Sequence, residues 1–260
     1  MRVFLLPQNP LSGQFLDITG KDYHYLVRVR RVKVGEQFPG TDGRGGSWRC
    51  TVSKIGPSSL RLQLEETTDP PLSPQLSICL IQCLPKAKKM DLIVRQATEA
   101  GLRRLIPVFS RYSQVRYSDR QGAQRKLERW QRIAREALQQ SGAAAAPIIK
   151  SPRELQVVLA ELAELADLND PVDGEVRLFF HQDREGSDTL HRCLSKIAKI
   201  ITLVVGPEGG LAENEIDQLR SKSFVPITFG HTVLRAETAA LYALAAVQTV
   251  IYERKAWEPT

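Results

Sequence analysis

The 260-residue chain has few of the residues that build metal centres, covalent staples and membrane spans. Its four cysteines, Cys50, Cys79, Cys83 and Cys193, form no CxxC pair and have no histidine at ligand spacing. They read as small buried hydrophobes, and neither a metal site nor a disulfide framework is expected. No run of 18 or more apolar residues is present, which excludes a transmembrane helix. The start, MRVFLLPQNP, has one Arg and a short apolar patch before Pro, too short for a secretory segment. The expected compartment is the cytosol, with no membrane partner. Internal repeats are absent, and the only low-complexity tract is AAAA at 143–146. Neither GxGxxG nor GxxxxGK[ST] occurs, so no dinucleotide or triphosphate cradle is indicated.

What is there is an ordinary globular composition, 42% apolar and 25% charged, enough for a sizeable core. The net charge of +7 is unevenly spread. Residues 73–150 hold 15 Lys/Arg against 5 Asp/Glu, whereas residues 151–260 hold 11 against 17. A basic island in an otherwise acidic half points to a polyanion, most commonly nucleic acid. A merely solvated basic surface is the other reading.

Residues 1–66 read as β. RVFLL, EQFPG, WRCTVSKIG and LRLQLEE are short strand-like runs separated by TDGRGGS and GPSS. TTDPPLSP at 67–74 reads as a linker, which places a small barrel at 1–70 and a second domain at 74–255. From residue 75 strands and helices alternate. QLSICLIQCL, RLIPVFS, VRLFFHQ, KIITLVV and VPITFG are apolar strands. KKMDLIVRQATEA, residues 124–140, LQVVLAELAELA and AETAALYALAAVQTVIY are helices. The second of these carries an apolar stripe, Leu127, Trp130, Ala134 and Leu138, and a basic stripe, Arg125, Arg129, Arg132 and Arg135. Ser151, Pro152 and Glu154 have the spacing of a capping box for the third. The alternation predicts an α/β domain with a mostly parallel sheet.

Two segments carry chemistry. LVVGPEGG at 203–210 is a strand ending in a glycine-rich loop that feeds a helix, an arrangement that lets backbone approach a ligand. Glu208 argues against phosphate and for a neutral or cationic ligand, although a tight strand-to-helix turn would need the same glycines. FGHTVLRAETAALYALAAV at 229–247 again ends a strand in Gly and opens an Ala-rich helix, where small side chains permit close approach. An Ala-rich helix is also simply core.

With these two loops in this order, the chain resembles the SPOUT class of methyltransferases, and within it the bacterial 16S rRNA uridine-N3 methyltransferase family. MRVF, HYLVRVRRVKVGE at 24–36, KAKKMDLIVRQATEAGL with IPVFSRYS, and RWQRIAREALQQSG resemble that family along nearly the whole chain. The resemblance implies a PUA-like N-terminal barrel and a SPOUT-type α/β domain with a deep trefoil knot. It also implies S-adenosylmethionine as cofactor, a homodimer through the knotted domain, and ribosomal RNA of the small subunit as substrate. The implied cofactor contacts are Val205, Gly206, Pro207, Glu208, Gly209, Gly210 and Leu211 from one loop. Gly230, Val233, Leu234, Arg235 and Thr238 come from the other, with His181 and Gln182, at the end of the preceding strand, as candidates for a third wall.

Arg235 and Glu237 stand beside the cofactor loop as candidate catalytic residues. Arg235 would stabilise charge developing at O2 or O4 of the uracil, and Glu237 would take the N3 proton or orient Arg235; a purely structural Arg–Glu pair is the alternative. Arg28, Arg30, Arg31 and Lys33, alternating along a strand-like run, Arg103, Arg104, Arg111 and Arg116, where the basic island meets the sheet edge, and Arg2, which matches the family's N-terminal Arg, are candidate RNA contacts, with Tyr112 and Tyr117 among the second group as stacking groups. The chain departs from the family pattern at Ala143, where Arg is usual, and at Tyr25, Arg30 and Ala100.

Overall fold

A computed structural model describes residues 3–6, 11, 13–42, 46–67, 77–117, 119–141, 145–162, 174–181, 188–195, 198, 200–230 and 232–257. The chain divides into two compact units, Met1–Pro74 with Arg135–Ala146, and Gln75–Ala134 with Pro147–Thr260.

The first unit is built on five strands: β1 (Phe4–Leu5), β2 (Phe15–Thr19), β3 (Gln37–Thr41), β4 (Ser47–Ile55) and β5 (Ser59–Glu66), in the order β1-β3-β4-β5-β2. Alternation along β4 and β5 sends Trp48, Cys50 and Val52, and Leu60, Leu62 and Leu64, to one buried face. Strand β2 was not expected. Its only buried side chain is Ile18, and its pairing with β5 supplies what its weak pattern does not. The run at 24–36 is not a strand. Gly20, at φ 61°, opens helix α1 (Gly20–His24), which continues as a wider π turn over Tyr25–Val29. The apolar spacing of Tyr23, Leu26 and Val27 is helical, and Leu26 is fully buried, so the intervening arginines do not alternate across a sheet.

Gly40 pairs with Trp48 across β3 and β4, next to the Phe38–Cys50 pair, and a Cβ there would lie 2.6 Å from the Cys50 sulfur. Gly40→Ala is expected to destabilise the first unit by about 1–3 kcal/mol through overpacking, read as faster hydrogen exchange of the β3 and β4 amides.

The second unit is a parallel sheet of β6 (Ser77–Cys83), β7 (Arg104–Phe109), β8 (Ile148–Ile149), β9 (Arg153–Glu154), β10 (Glu175–Phe180), β11 (Ile200–Val205) and β12 (Val225–Ile227). The order is β12-β10-β11-β6-β7-β8, with β9 also on β7. All the pairings are parallel. Strands β8 and β9 flank a gap opposite Ile106 and Pro107, and the gap falls where Pro107 has no N–H to donate. The same pairing overturns the capping box. Arg153 and Glu154 are taken into the sheet beside Val108 and Phe109, and helix α4 (Leu155–Ala160) starts after them with no side-chain cap.

The other helices are α2 (Lys89–Glu99), α3 (Arg120–Ser141), α5 (Leu190–Cys193), α6 (Glu213–Ser221) and α7 (Ala236–Trp257). In α3 the apolar stripe is inward, with Trp130, Ala134 and Leu138 buried. Helix α7 packs on α2 through Ala240, Ala243, Leu244 and Val247, and Gln248 donates to the Ala100 carbonyl at 2.6 Å. Burial pushes the thiols of Cys50, Cys79 and Cys83 up to about 12, so they are neutral packing groups.

Candidate active site

Because the sheet of the second unit is parallel, the loops after β6, β7, β10, β11 and β12 leave it at the same end. Ligands of open α/β sheets sit at that end, beside the point where the strand order reverses. Here the reversal lies at β6 and β11, since the chain builds outward from β6 through β7 and then crosses to β10 and β11.

The GPEGG loop leaves β11 at this point. Gly210 has φ 75°, a left-handed conformation that glycine adopts without strain. A Cβ on Gly206 would touch Gly210 and Leu211 at 3.4 Å, so the loop folds closely on itself. It opens α6, whose Glu215 is 7% exposed and accepts from the Ala212 amide at 2.9 Å. Across from the loop run Phe229–Leu234 and the first turn of α7. Between them lies a cleft that is open to solvent.

The cleft brings together ten of the sequence-derived candidates: His181, Val205, Gly206, Pro207, Glu208, Gly210, Leu211, Gly230, Val233 and Leu234. Gly209, Arg235 and Thr238 are exposed and do not line it. Gln182 lies outside the described residues. Thr232 and Ala236, within the expected 230–238 loop, also line it, whereas sequence reasoning missed Phe180, Phe229 and Ala239. Phe229 stacks on Phe180 with ring centroids 4.3 Å apart and meets Tyr242 edge-on at 4.6 Å. This aromatic wall closes one side of the cleft. Its signal was the apolar residue before each strand-ending loop, at Phe180 before His181 and Phe229 before Gly230.

The charge at the cleft centres on a residue the sequence did not single out. Lys89, at the start of α2, places its ammonium 2.8 Å from Glu208 and 3.2 Å from Glu237. The amide of Lys86 points at both Glu208 oxygens, at 3.2 and 3.3 Å. Burial alone would raise the Glu208 carboxyl, but the Lys89 ammonium and the backbone amides of Glu208 and Lys86 outweigh it and hold the group below its ordinary range. The hydrogen bond to Glu208 and the further attraction of Glu237 hold Lys89 above its ordinary value. Among the described residues Glu237 therefore pairs with Lys89. Its Oε2, though within ion-pair distance, is buried and outside hydrogen-bond angles.

The candidate RNA contacts fall into two groups. In the first unit Arg28, Arg31 and Lys33 are exposed on the helical segment and the turn that follows it. Arg30 is instead folded over the Phe38 ring at 4.3 Å and paired with Glu36 at 3.9 Å. In the second unit Arg103 and Arg111 are exposed and Arg104 is half-buried. Arg116 is engaged: it pairs with Glu154 and lies over the Phe109 ring at 5.1 Å. Arg2 and Ala143 lie outside the described residues.

Comparison with known proteins agrees with this architecture. Residues 72–248 match the RNA methyltransferase domain family and residues 18–65 the RNA methyltransferase PUA domain family. The ribosomal RNA small subunit methyltransferase E of Mycobacterium bovis is 31% identical over 94% of this chain and 90% of its own. The protein of that name from Synechocystis is 31% identical over 96% and 78%. A crystal structure of the Neisseria gonorrhoeae ribosomal RNA small subunit methyltransferase E, bound to S-adenosyl methionine, superposes with a TM-score of 0.77 at 29% identity, covering 96% of this chain and 98% of that one. An N-terminal PUA unit, a parallel-sheet unit of SPOUT type and matches over almost the full length together place the chain in the ribosomal RNA small subunit methyltransferase E family.

Proposed function

We propose that the cleft binds S-adenosylmethionine and that the protein methylates N3 of a specific uridine in 16S ribosomal RNA of the small subunit. The observation that carries this reading is the convergence of GPEGG and VLRAE on one cleft beyond the carboxyl ends of β10, β11 and β12. The residues present fit the cofactor. An apolar slot of Phe229, Leu234 and Leu211 suits adenine, glycine backbone at 206, 210 and 230 allows close approach, and Glu208, whose carboxylate lines the edge, suits a sulfonium with no phosphate.

Bound there, the cofactor supplies an electrophilic methyl group. The chain aligns the acceptor nitrogen with it, which contributes several kcal/mol by orientation alone. The new bond is N3–CH₃, the broken one is CH₃–S, and the N3 proton must leave. Arg235, exposed beside Leu234, is the group we assign to negative charge on the uracil oxygens. Glu237, two residues further along the same turn and tied to Lys89, is the candidate proton acceptor.

Three further features complete the proposal. The chain threads a trefoil knot at the loops after β11 and β12. Exposed Arg28, Arg31, Lys33, Arg103 and Arg111 grip RNA phosphates, and the ribosomal substrate places the protein in the cytosol. The second unit forms a homodimer through α7, whose exposed face Thr238, Tyr242, Ala245, Thr249 and Tyr252 is uncharged over four turns. Ala245→Arg is expected to convert a dimer into a monomer on light scattering with little loss of fold.

The test of the reaction uses labelled S-adenosylmethionine, small ribosomal subunits from cells lacking this activity, and nucleoside mass spectrometry. Label in 3-methyluridine supports the reading. Label in another nucleoside redirects it to another acceptor, and cofactor binding without transfer would mark an RNA-binding relative.

A further inference from the structure

The two tyrosines that follow β7 have opposite fates. Tyr117 packs against Phe109 and Trp130, at centroid distances of 5.7 and 6.5 Å, and burial with the nearby Asp91 charge pushes its hydroxyl up to about 12. It is a core group. Tyr112 is 48% exposed. An exposed aromatic on a loop is commonly mobile, but this one is fixed at its base. The Arg111 amide donates to the buried Glu215 carboxylate at 2.8 Å. Ser110 and Ser113, both buried, are tied to each other by an amide-to-hydroxyl bond of 3.1 Å and a hydroxyl pair at 2.9 Å.

The same loop lies against the GPEGG loop. A Cβ on Gly209 would stand 2.9 Å from Tyr112 Cβ, nearer than real carbons approach, so Gly209 is the residue that lets the two loops meet. Its neighbours Glu208 and Gly210 line the cleft. The result is a rigidly mounted, solvent-facing ring beside the loop that forms the cleft wall, with the exposed Arg111 next to it.

We propose that Tyr112 is a stacking platform for an unpaired base of the RNA and positions the target nucleotide at the mouth of the cleft. The proposal rests on the methyltransferase reading above. Single-stranded RNA is recognised by stacking of splayed bases on aromatic rings next to cations that hold the backbone, and each such stack is sequence-tolerant and contributes substantially to affinity. Tyr112 has no ring partner among the described residues, and about half of its surface, 48%, is open to solvent.

The experiment compares the full-length wild type with Tyr112→Ala, Tyr112→Phe and Tyr112→Trp. Methyl transfer to small subunits is measured at saturating S-adenosylmethionine, and cofactor affinity is measured by calorimetry. Tyr112→Ala is expected to lower kcat/KM for the RNA about tenfold or more, mainly through KM, with cofactor affinity unchanged. Phe and Trp are expected to restore it. Gly209→Ala, whose Cβ would crowd Tyr112 Cβ and shift the ring, should reproduce the KM defect with the ring intact. Wild-type kcat/KM in Tyr112→Ala would overturn the proposal. So would a Phe variant as poor as Ala, or a parallel loss of cofactor affinity, which would mark a structural role. If the wild type itself transfers no methyl group to RNA, it is the functional reading that fails, and that outcome is distinct from any of these.

Discussion

Lys89→Met is expected to weaken S-adenosylmethionine binding by about tenfold, and Lys89→Arg to restore most of the loss. One ammonium faces two carboxylates that belong to the two walls of the cleft, Glu208 in the GPEGG loop and Glu237 in the first turn of α7. The three side chains are 28%, 22% and 15% exposed. Removing the cation leaves like charges facing each other at the place where the loops must stay in register. The expected size, about tenfold, lies between the negligible effect of a fully exposed ion pair and the several-hundredfold effect of a buried one. Calorimetric titration of the full-length variants provides the measurement, and a Met variant that binds like the wild type would show that the loops hold their spacing without the clasp. The pH dependence has a definite sign. Glu208 is lowered from 4.5, so its contribution is present above that value and lost as pH falls through the lowered one. Lys89 is raised from 10.5, so its contribution is present below that value and lost as pH rises through the raised one. The penalty of Lys89→Met should therefore be the same at pH 6 and pH 9.

That clasp shows where sequence legibility ended. The strands β6, β7, β10, β11 and β12 stood out as apolar runs because a parallel sheet buried on both faces needs them. Both loops of the cleft were visible because glycine at a strand end has few other uses. The partners of Lys89 are 119 and 148 positions away, and within KAKK nothing distinguishes it from its solvated neighbours. The one available hint was that Glu208, in a glycine loop nearly free of side chains, needed a counter-charge from elsewhere. The run HYLVRVRRV misled for a related reason. Its alternation of apolar and basic residues mimics period two, whereas the packing of Tyr23, Leu26 and Val27 selects the helix. Likewise, Glu154 at capping-box spacing had a competing use in the sheet that only the gap opposite Pro107 reveals.

Glu215→Ala is expected to cost the second unit about 2–4 kcal/mol, because it strands the buried Ala212 amide and the part-buried Arg111 amide, and each unsatisfied donor costs roughly 1–3 kcal/mol. The carboxylate bonds Arg111 N at 2.8 Å through one oxygen and Ala212 N at 2.9 Å through the other. It thus joins the loop after β7 to the start of α6, the two segments that flank the GPEGG turn. On differential scanning calorimetry this corresponds to a Tm lower by roughly 5–10 °C for a unit of this size. Glu215→Gln keeps one acceptor oxygen but presents an NH₂ group to the second amide, so it should fall between Ala and wild type. The two variants also separate fold from function. If the Glu215 carboxylate fixes the base of Tyr112 as well as the start of α6, Glu215→Gln should raise KM for RNA more than it weakens cofactor binding. An equal loss of both would place the whole effect in the helix start, because Ala212 adjoins Leu211 of the cleft wall, whereas Arg111 adjoins the exposed ring.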